Sequence, residues 1–226
     1  MRNGSINGKL SEVEILENRE EFLNLVSSIE REGADIEGLV RKLNNSDFFR
    51  APASTKYHGG YEGGLCEHCL NVYYNLIDLV QMTNRSILSN PLDECCYDEN
   101  SLKIVALLHD MSKMNFYEKT VSNKKIYSDN GSKKDEMGRY DWVSVPSFKT
   151  RDKKFVYGNH EVNAEFIVRH YIPLTLDESA AIINHMGGMS YDAAQHSMTE
   201  VFNSYSLVTL LHIADIMATY INERTN

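Results

Sequence analysis

The 226-residue sequence contains no run of about 18 apolar residues, so nothing in it reads as a membrane-spanning helix. The first ten residues, Met1 to Leu10, are polar, include two glycines and lack the apolar stretch of a secretory signal. The expected compartment is cytoplasmic, with no membrane partner. Cysteine is scarce: the four are a C-x-x-C pair, Cys66 and Cys69, and the adjacent Cys95 and Cys96. No βαβ pattern surrounds the first pair, which sits inside an apolar helical pattern, so a packing role is expected rather than a redox or zinc site. Positive charge is also short, with 23 Lys and Arg against 32 Asp and Glu and a net charge of −9. Such a chain repels nucleic-acid backbone and anionic membrane surfaces. A small phosphorylated substrate needs only a local positive site, and nucleic acid is the less favoured partner.

What is abundant is apolar material in helical register. Hydrophobic residues make up 42% of the chain, enough for one well-buried core. Residues 1–47 are expected to form N-terminal helices packed on a core domain spanning 48–226. Helical spacing covers about 11–30 and 36–43, and a longer helix opens at Gly63-Gly64. Pro91 to Asn100 reads as a polar loop. Ser101 to Asp110 is apolar on nearly every side and belongs in the middle of a bundle. Asn115 to Arg151 breaks the pattern and reads as a β-hairpin or flap, with a turn signal at Ser128-Asp129-Asn130-Gly131. Helices resume near 159–171. A capping-box pattern at Thr175 to Glu178 opens another helix, which Gly187-Gly188 ends. The last helix runs from about 206 to 223. The expected fold class is all-α, a helical bundle with a hairpin-like insertion.

Several of these helices carry a metal-competent side chain on the buried stripe. His68 lies between Leu65 and Val72. His109 shares a face with Leu102, Val105 and Ala106, and His160 with Ala164 and Ile167. His185 follows Ala181 and Ile182, and Asp215 follows Leu211. One inward imidazole is usually a satisfied core histidine. Several, together with two carboxylates, are costly to bury without a shared cation. His109 and Asp110 are neighbours, so both reach one ion only if it sits near the helix end, which also favours positive charge. Imidazole and carboxylate donors suit Mn, Fe, Ni, Co or Zn, with Mg possible if water completes its shell.

The order His68, then His109-Asp110 within ALLHDMSK, then Asp215 within LLHIADIMA resembles the H…HD…D signature of the HD-domain phosphohydrolase superfamily. The stretch APASTKYHGGYEGGLCEHCLNV resembles the lead-in of its 3′→5′ exoribonuclease subgroup. YGNHEVNAEFIVRHYIPLTLDESAAIINHMGG resembles bacterial and phage HD hydrolases. The resemblance spans residues 48–223. It implies a metal-dependent phosphohydrolase or phosphodiesterase, acting on a nucleotide through a metal-activated water. His68, His109, Asp110 and Asp215 match the ligands of one ion; His160 and His185 match those of a second, with Asp110 bridging. Lys113 matches a lysine that faces substrate phosphate, and His58 a lead-in histidine given a substrate role. Asp110 and Lys113 are the expected catalytic pair. The alternatives are a nuclease trimming RNA or DNA ends and a non-catalytic nucleotide sensor. The acidic charge and the lack of an OB domain before residue 48 argue against a processive RNA exonuclease.

Other residues carry open readings. His212 either orients Asp215 or packs, and His170 and His196 read as surface residues. Arg50 reads as a solvated loop residue. Trp142, Tyr117, Tyr127 and Tyr140 either stack on a base or pin the hairpin.

Overall fold

The computed structural model describes residues 9–55, 58–87, 97–187 and 198–223. Met1 to Gly8, Cys95, Cys96, Gly188 and His196 lie outside them. Helix α1 (Glu12–Ser27) starts at a reciprocal cap, in which the Ser11 hydroxyl accepts from the Glu14 amide and Glu14 accepts from the Ser11 amide. Helix α2 (Ile36–Asn44) is capped by Asp35. Phe22 of α1 meets Phe48 and Phe49 at ring separations of 4.9 and 5.8 Å, which seats α1 on the core, while Leu39 and Leu43 do so for α2.

The centre is helix α3 (Gly64–Ile87), which packs against α4 (Glu99–Leu108) and α8 (Ser206–Met217). Every residue of α4 from Ser101 to Leu108 is buried, as its all-round apolar pattern predicts. This helix begins within the stretch read as a loop, because Asp98 caps it by accepting from the Ser101 amide. Helices α5 (His160–Arg169) and α6 (Leu176–Asn184) follow, capped by Asn159 and Thr175. A short helix, α7 (Met198–Ser204), precedes α8. One apolar cluster runs from Phe22 through α3 and α4 to Ala218.

The all-α expectation is corrected here. Helix accounts for 54% of the structure and a three-stranded antiparallel sheet for 14%, so the class is mixed α and β. Strands β1 (Tyr117–Tyr127) and β3 (Gly138–Thr150) pair from Tyr117↔Thr150 to Tyr127↔Tyr140. Strand β2 (Lys133–Asp135) adds to the other side of β3, giving the order β1-β3-β2. The physical reason is length. Eleven paired positions with Val121, Ile126, Trp142, Val143 and Val145 form a sheet in its own right, not a decoration on a bundle. The sheet is an arm: Val121, Ile126, Trp142 and Val143 are all exposed.

No single described helix is long and apolar enough to cross a membrane. Cys66 and Cys69 are buried in the core and form no disulfide with one another, and burial pushes the Cys69 thiol well up.

Candidate metal centre

The local backbone explains how two consecutive residues reach one place. His109 closes α4 with helical angles, and Asp110 leaves the helix at φ −107°, ψ 19° to start a 3₁₀ turn over Met111–Lys113. The break turns both side chains to the same side, as their position at a helix end requires.

Asp110 is the hub, with its side chain only 1% exposed. Its Oδ2 lies 3.7 Å from His68 Nε2 and 3.5 Å from His109 Nε2, and accepts from Lys113 Nζ at 2.6 Å. Its Oδ1 faces the other way, 4.0 Å from His160 Nε2 and 3.9 Å from His185 Nε2. Two triads therefore share one carboxylate: His68, His109 and Asp110, and Asp110, His160 and His185. Within each, the donor atoms lie within 4.8 Å of one another. Ligands about 2.0–2.2 Å from a common ion are separated by about 3–4 Å, so both triads have the spacing to hold a metal ion.

Hydrogen bonds aim the imidazoles. His109 Nδ1 donates to the Ala106 carbonyl at 2.9 Å, and His185 Nδ1 to that of Ile182 at 2.8 Å. Each bond fixes the tautomer that leaves a lone pair on Nε2, facing Asp110. Burial pushes His109 down to about 3 and lowers His185 as well, so both rings are neutral, as a ligand must be. His160 Nδ1 lies 3.1 Å from Glu161 Oε2. The Nε2 atoms of His109 and His160 and the Oδ1 of Asp110 are buried without a hydrogen-bond partner. Three orphaned polar atoms converging in one place are expensive unless something occupies the space between them.

His68 is flanked by carboxylates on both sides and hydrogen-bonded through Nδ1 alone. Its Nδ1 lies 3.0 Å from Glu223 Oε1, and its Nε2 3.2 Å from Asp215 Oδ1. Burial opposes a charge on this ring, but Glu223 and Asp215 outweigh it and raise its pKa to about 10. Burial would likewise raise the carboxyls of Asp110 and Asp215. Lys113 holds Asp110 well below the usual range, and His68 does the same for Asp215. The centre thus gathers Asp110, Asp215, Glu223 and Glu161 around the Lys113 ammonium and the His68 imidazolium, an excess of negative charge that a divalent cation would balance.

A cleft of ≈ 560 Å³ opens onto this cluster, lined among others by His58, Asp110, Lys113, Tyr117, His160 and Asp215. His58 lies on a tight turn. Gly59 has φ +55°, and a Cβ there would sit 2.7 Å from that of Ala53. The ring of His58 is 4.8 Å from that of His68, both its nitrogens are buried without partners, and burial, followed by repulsion from His68, pushes it down to about 3.

The structure thus brings together all eight residues singled out from the sequence, and corrects several details. Lys113, matched to a phosphate-facing lysine, sits on the 3₁₀ turn with its ammonium on Asp110. Of the 115–151 segment only Phe116 and Tyr117 line the cleft, and the rest of the arm does not cover it. His212 donates to the His185 carbonyl at 2.6 Å, buttressing that turn instead of Asp215. Arg50 is engaged by Glu12 and Glu62. Trp142 and Tyr127 pack on Tyr140, which pins the arm.

Two residues escaped the sequence reading, Glu161 and Glu223. Glu223 is 2% exposed and also accepts from Asn71 Nδ2 at 3.1 Å. It follows a π-helical turn over Ala218–Asn222, closed by the Glu223 amide on the Ala218 carbonyl at 3.0 Å. Glu161 had a local signal, an acid directly after a candidate histidine in the first turn of a helix. Compared with family models, curated proteins and solved structures, the chain gives no match.

Proposed function

We propose that this protein is a metal-dependent phosphohydrolase or phosphodiesterase of the HD type, acting on a nucleotide. The observation that carries the reading is the two-faced carboxylate of Asp110, with Oδ2 turned to His68 and His109 and Oδ1 to His160 and His185. A carboxylate set between two donor groups is suited to bridge two ions. Mn, Fe, Ni, Co or Zn suits the imidazole-rich set, and Mg fits less well. A divalent cation held there would supply a water of lowered pKa and draw charge from a phosphoryl oxygen.

The chain's own residues do the rest. Asp110, Asp215, His68 and His109 would hold the first ion, and His160 and His185 with Asp110 would hold the second. Glu223 and the carbonyls of Ala106 and Ile182 hold the imidazole tautomers. Lys113 keeps Asp110 ionised and, at the cleft wall, offers an ammonium to the phosphate. His58, neutral and unpartnered, offers a hydrogen bond to a phosphate or leaving-group oxygen.

The test is metal analysis of purified protein, followed by a phosphate-release screen over mono-, di-, tri- and cyclic nucleotides and short oligonucleotides. Turnover on a nucleotide, lost in Asp110→Asn, is the expected result. Cleavage of oligonucleotides alone would favour the nuclease alternative. Full metal loading with no turnover on any compound would favour the sensor and overturn the hydrolase reading.

A further inference from the structure

A second pocket, ≈ 510 Å³ in volume, lies on the other side of the 3₁₀ turn and shares only Ser112 with the metal cleft. It is built where the end of the arm meets α5 and α2. Lys42, Lys153 and Lys154 line it, and no Asp or Glu does. In a chain with a net charge of −9, a pocket with three ammonium groups and no carboxylate is a departure from the surrounding surface. Lys154 is partly used: its Nζ lies 5.5 Å from the Phe116 ring centre and donates to the Arg151 carbonyl at 3.3 Å. Lys42 and Lys153 form no ion pair among the described residues, so their charge is free to meet a ligand.

The apolar wall is aromatic. Phe166 is stacked by Tyr157, outside the pocket lining, at 4.6 Å and 27° and by Phe155 at 5.8 Å and 25°, yet Phe155 and Phe166 remain 48% and 46% exposed. Half-exposed stacked rings beside unpaired lysines offer a flat face for a planar group and cations for its charged end. A third observation is independent of both. The Ser112 hydroxyl, on the shared wall, is buried without a hydrogen-bond partner. A buried hydroxyl in that state awaits an acceptor or donor from whatever fills the space.

We propose that this pocket is a second ligand site, for a nucleoside polyphosphate, distinct from the metal cleft. The phosphates lie on Lys42 and Lys153, and the base lies on the Phe155–Phe166 stack. The volume is within the ordinary range for ligand pockets, about 300–1,000 Å³. The assignment does not depend on hydrolysis at the metal centre.

The experiment uses the full chain in EDTA, so that metal-bridged binding in the cleft is removed. The probe is N-methylanthraniloyl-ATP, followed by fluorescence anisotropy and displaced with ATP or with tripolyphosphate. Saturable binding is expected, weakened about tenfold or more in the double variant Lys42→Glu, Lys153→Glu. Asp110→Asn should stay within about twofold of wild type. The arm variant Lys119→Glu, Lys124→Glu, with the same charge change outside the pocket, should do likewise. Phe166→Ala should weaken the competition by ATP and leave that by tripolyphosphate unchanged.

Absence of saturable binding overturns the proposal. So does equal loss in the arm variant, which would indicate unspecific attraction, or loss in Asp110→Asn, which would place the probe in the metal cleft. Equal competition by ATP and tripolyphosphate in the wild type removes the nucleoside from the assignment. Metal content and phosphate release are measured separately on the double variant. A failed hydrolysis screen therefore leaves this result standing.

Discussion

Glu223 touches no Lys or Arg among the described residues and is nonetheless fully buried against an imidazole and an amide. Its part is to orient His68 and keep that ring rich in electrons. Partners of this kind typically carry about 10–100-fold in metal affinity. Glu223→Gln should therefore weaken metal binding by about that factor while the far-UV CD spectrum stays as in wild type, and a competitive chelator titration measures it. Lys113 makes the complementary case. In metal-free protein it is the nearest counter-charge to a carboxylate whose side chain is 1% exposed. Burial works against its ammonium, but Asp110 outweighs this and raises its pKa. Lys113→Ala should cost the metal-free form about 3–5 kcal/mol in denaturant titrations, because it leaves Asp110 alone. Saturating Mn²⁺ should restore most of that loss. Five of the six metal-competent residues were legible because each falls at helical spacing from apolar neighbours, and Asp110 because it adjoins His109 at a helix end. Glu223 was not: eight positions beyond Asp215, an α-helix would carry it about 80° off that face. The π-turn changes the register, and no spacing rule announces such a turn.

Among the elements, α6 shows how the N-terminal helices are tied to the site. Glu178 of α6 is buried and receives Arg31 at 2.6 Å, Ser101 Oγ of α4 at 2.7 Å and the Thr175 amide at 2.8 Å. One carboxylate thus joins the segment after α1, the start of α4 and the helix that ends at His185. Arg31→Ala should destabilise the protein by about 3–5 kcal/mol, since it strands Glu178 while Arg31 itself is only 17% exposed. A chemical denaturation midpoint shifted by less than a quarter of that would mean that Ser101 and the Thr175 amide suffice. The capping box at Thr175 was visible in the sequence; its second duty was not, because the partners are 77 and 147 residues away. The arm is the opposite case. Its strands were legible, but its direction was not, since alternation fixes which residues share a face and says nothing of where a ribbon points. Replacing residues 123–144 by Asn-Gly keeps the pairs from Tyr117↔Thr150 to Ser122↔Val145 and removes mostly exposed residues. The melting temperature, read by calorimetry, should move by no more than about 3 °C.

At the scale of the whole molecule, the donors come from α3, the end of α4, the start of α5, the end of α6 and α8. Nearly every long stretch of the chain contributes one. This is why the sequence disclosed the members of the centre and not its geometry: the order is linear, while the convergence depends on how α3, α4, α6 and α8 pack. An ion that binds only the folded chain stabilises it by about 2.7 kcal/mol at a hundred times its dissociation constant. EDTA should lower the melting temperature, and Mn²⁺ should restore it in wild type but not in the double variant His109→Ala, Asp110→Ala. The shared carboxylate of Asp110 has a further consequence, which concerns time. Two triads that meet at one residue close loops reaching from position 68 to 185, so no ligand-bearing helix can peel away without first emptying a ligand position. An occupied centre then behaves as a removable cross-link, acting on the escape rate from the native state more than on the rate of reaching it. In strong denaturant the loaded protein should survive at least about ten times longer than the chelated one, while refolding from the unfolded chain proceeds at nearly the same pace with or without the metal.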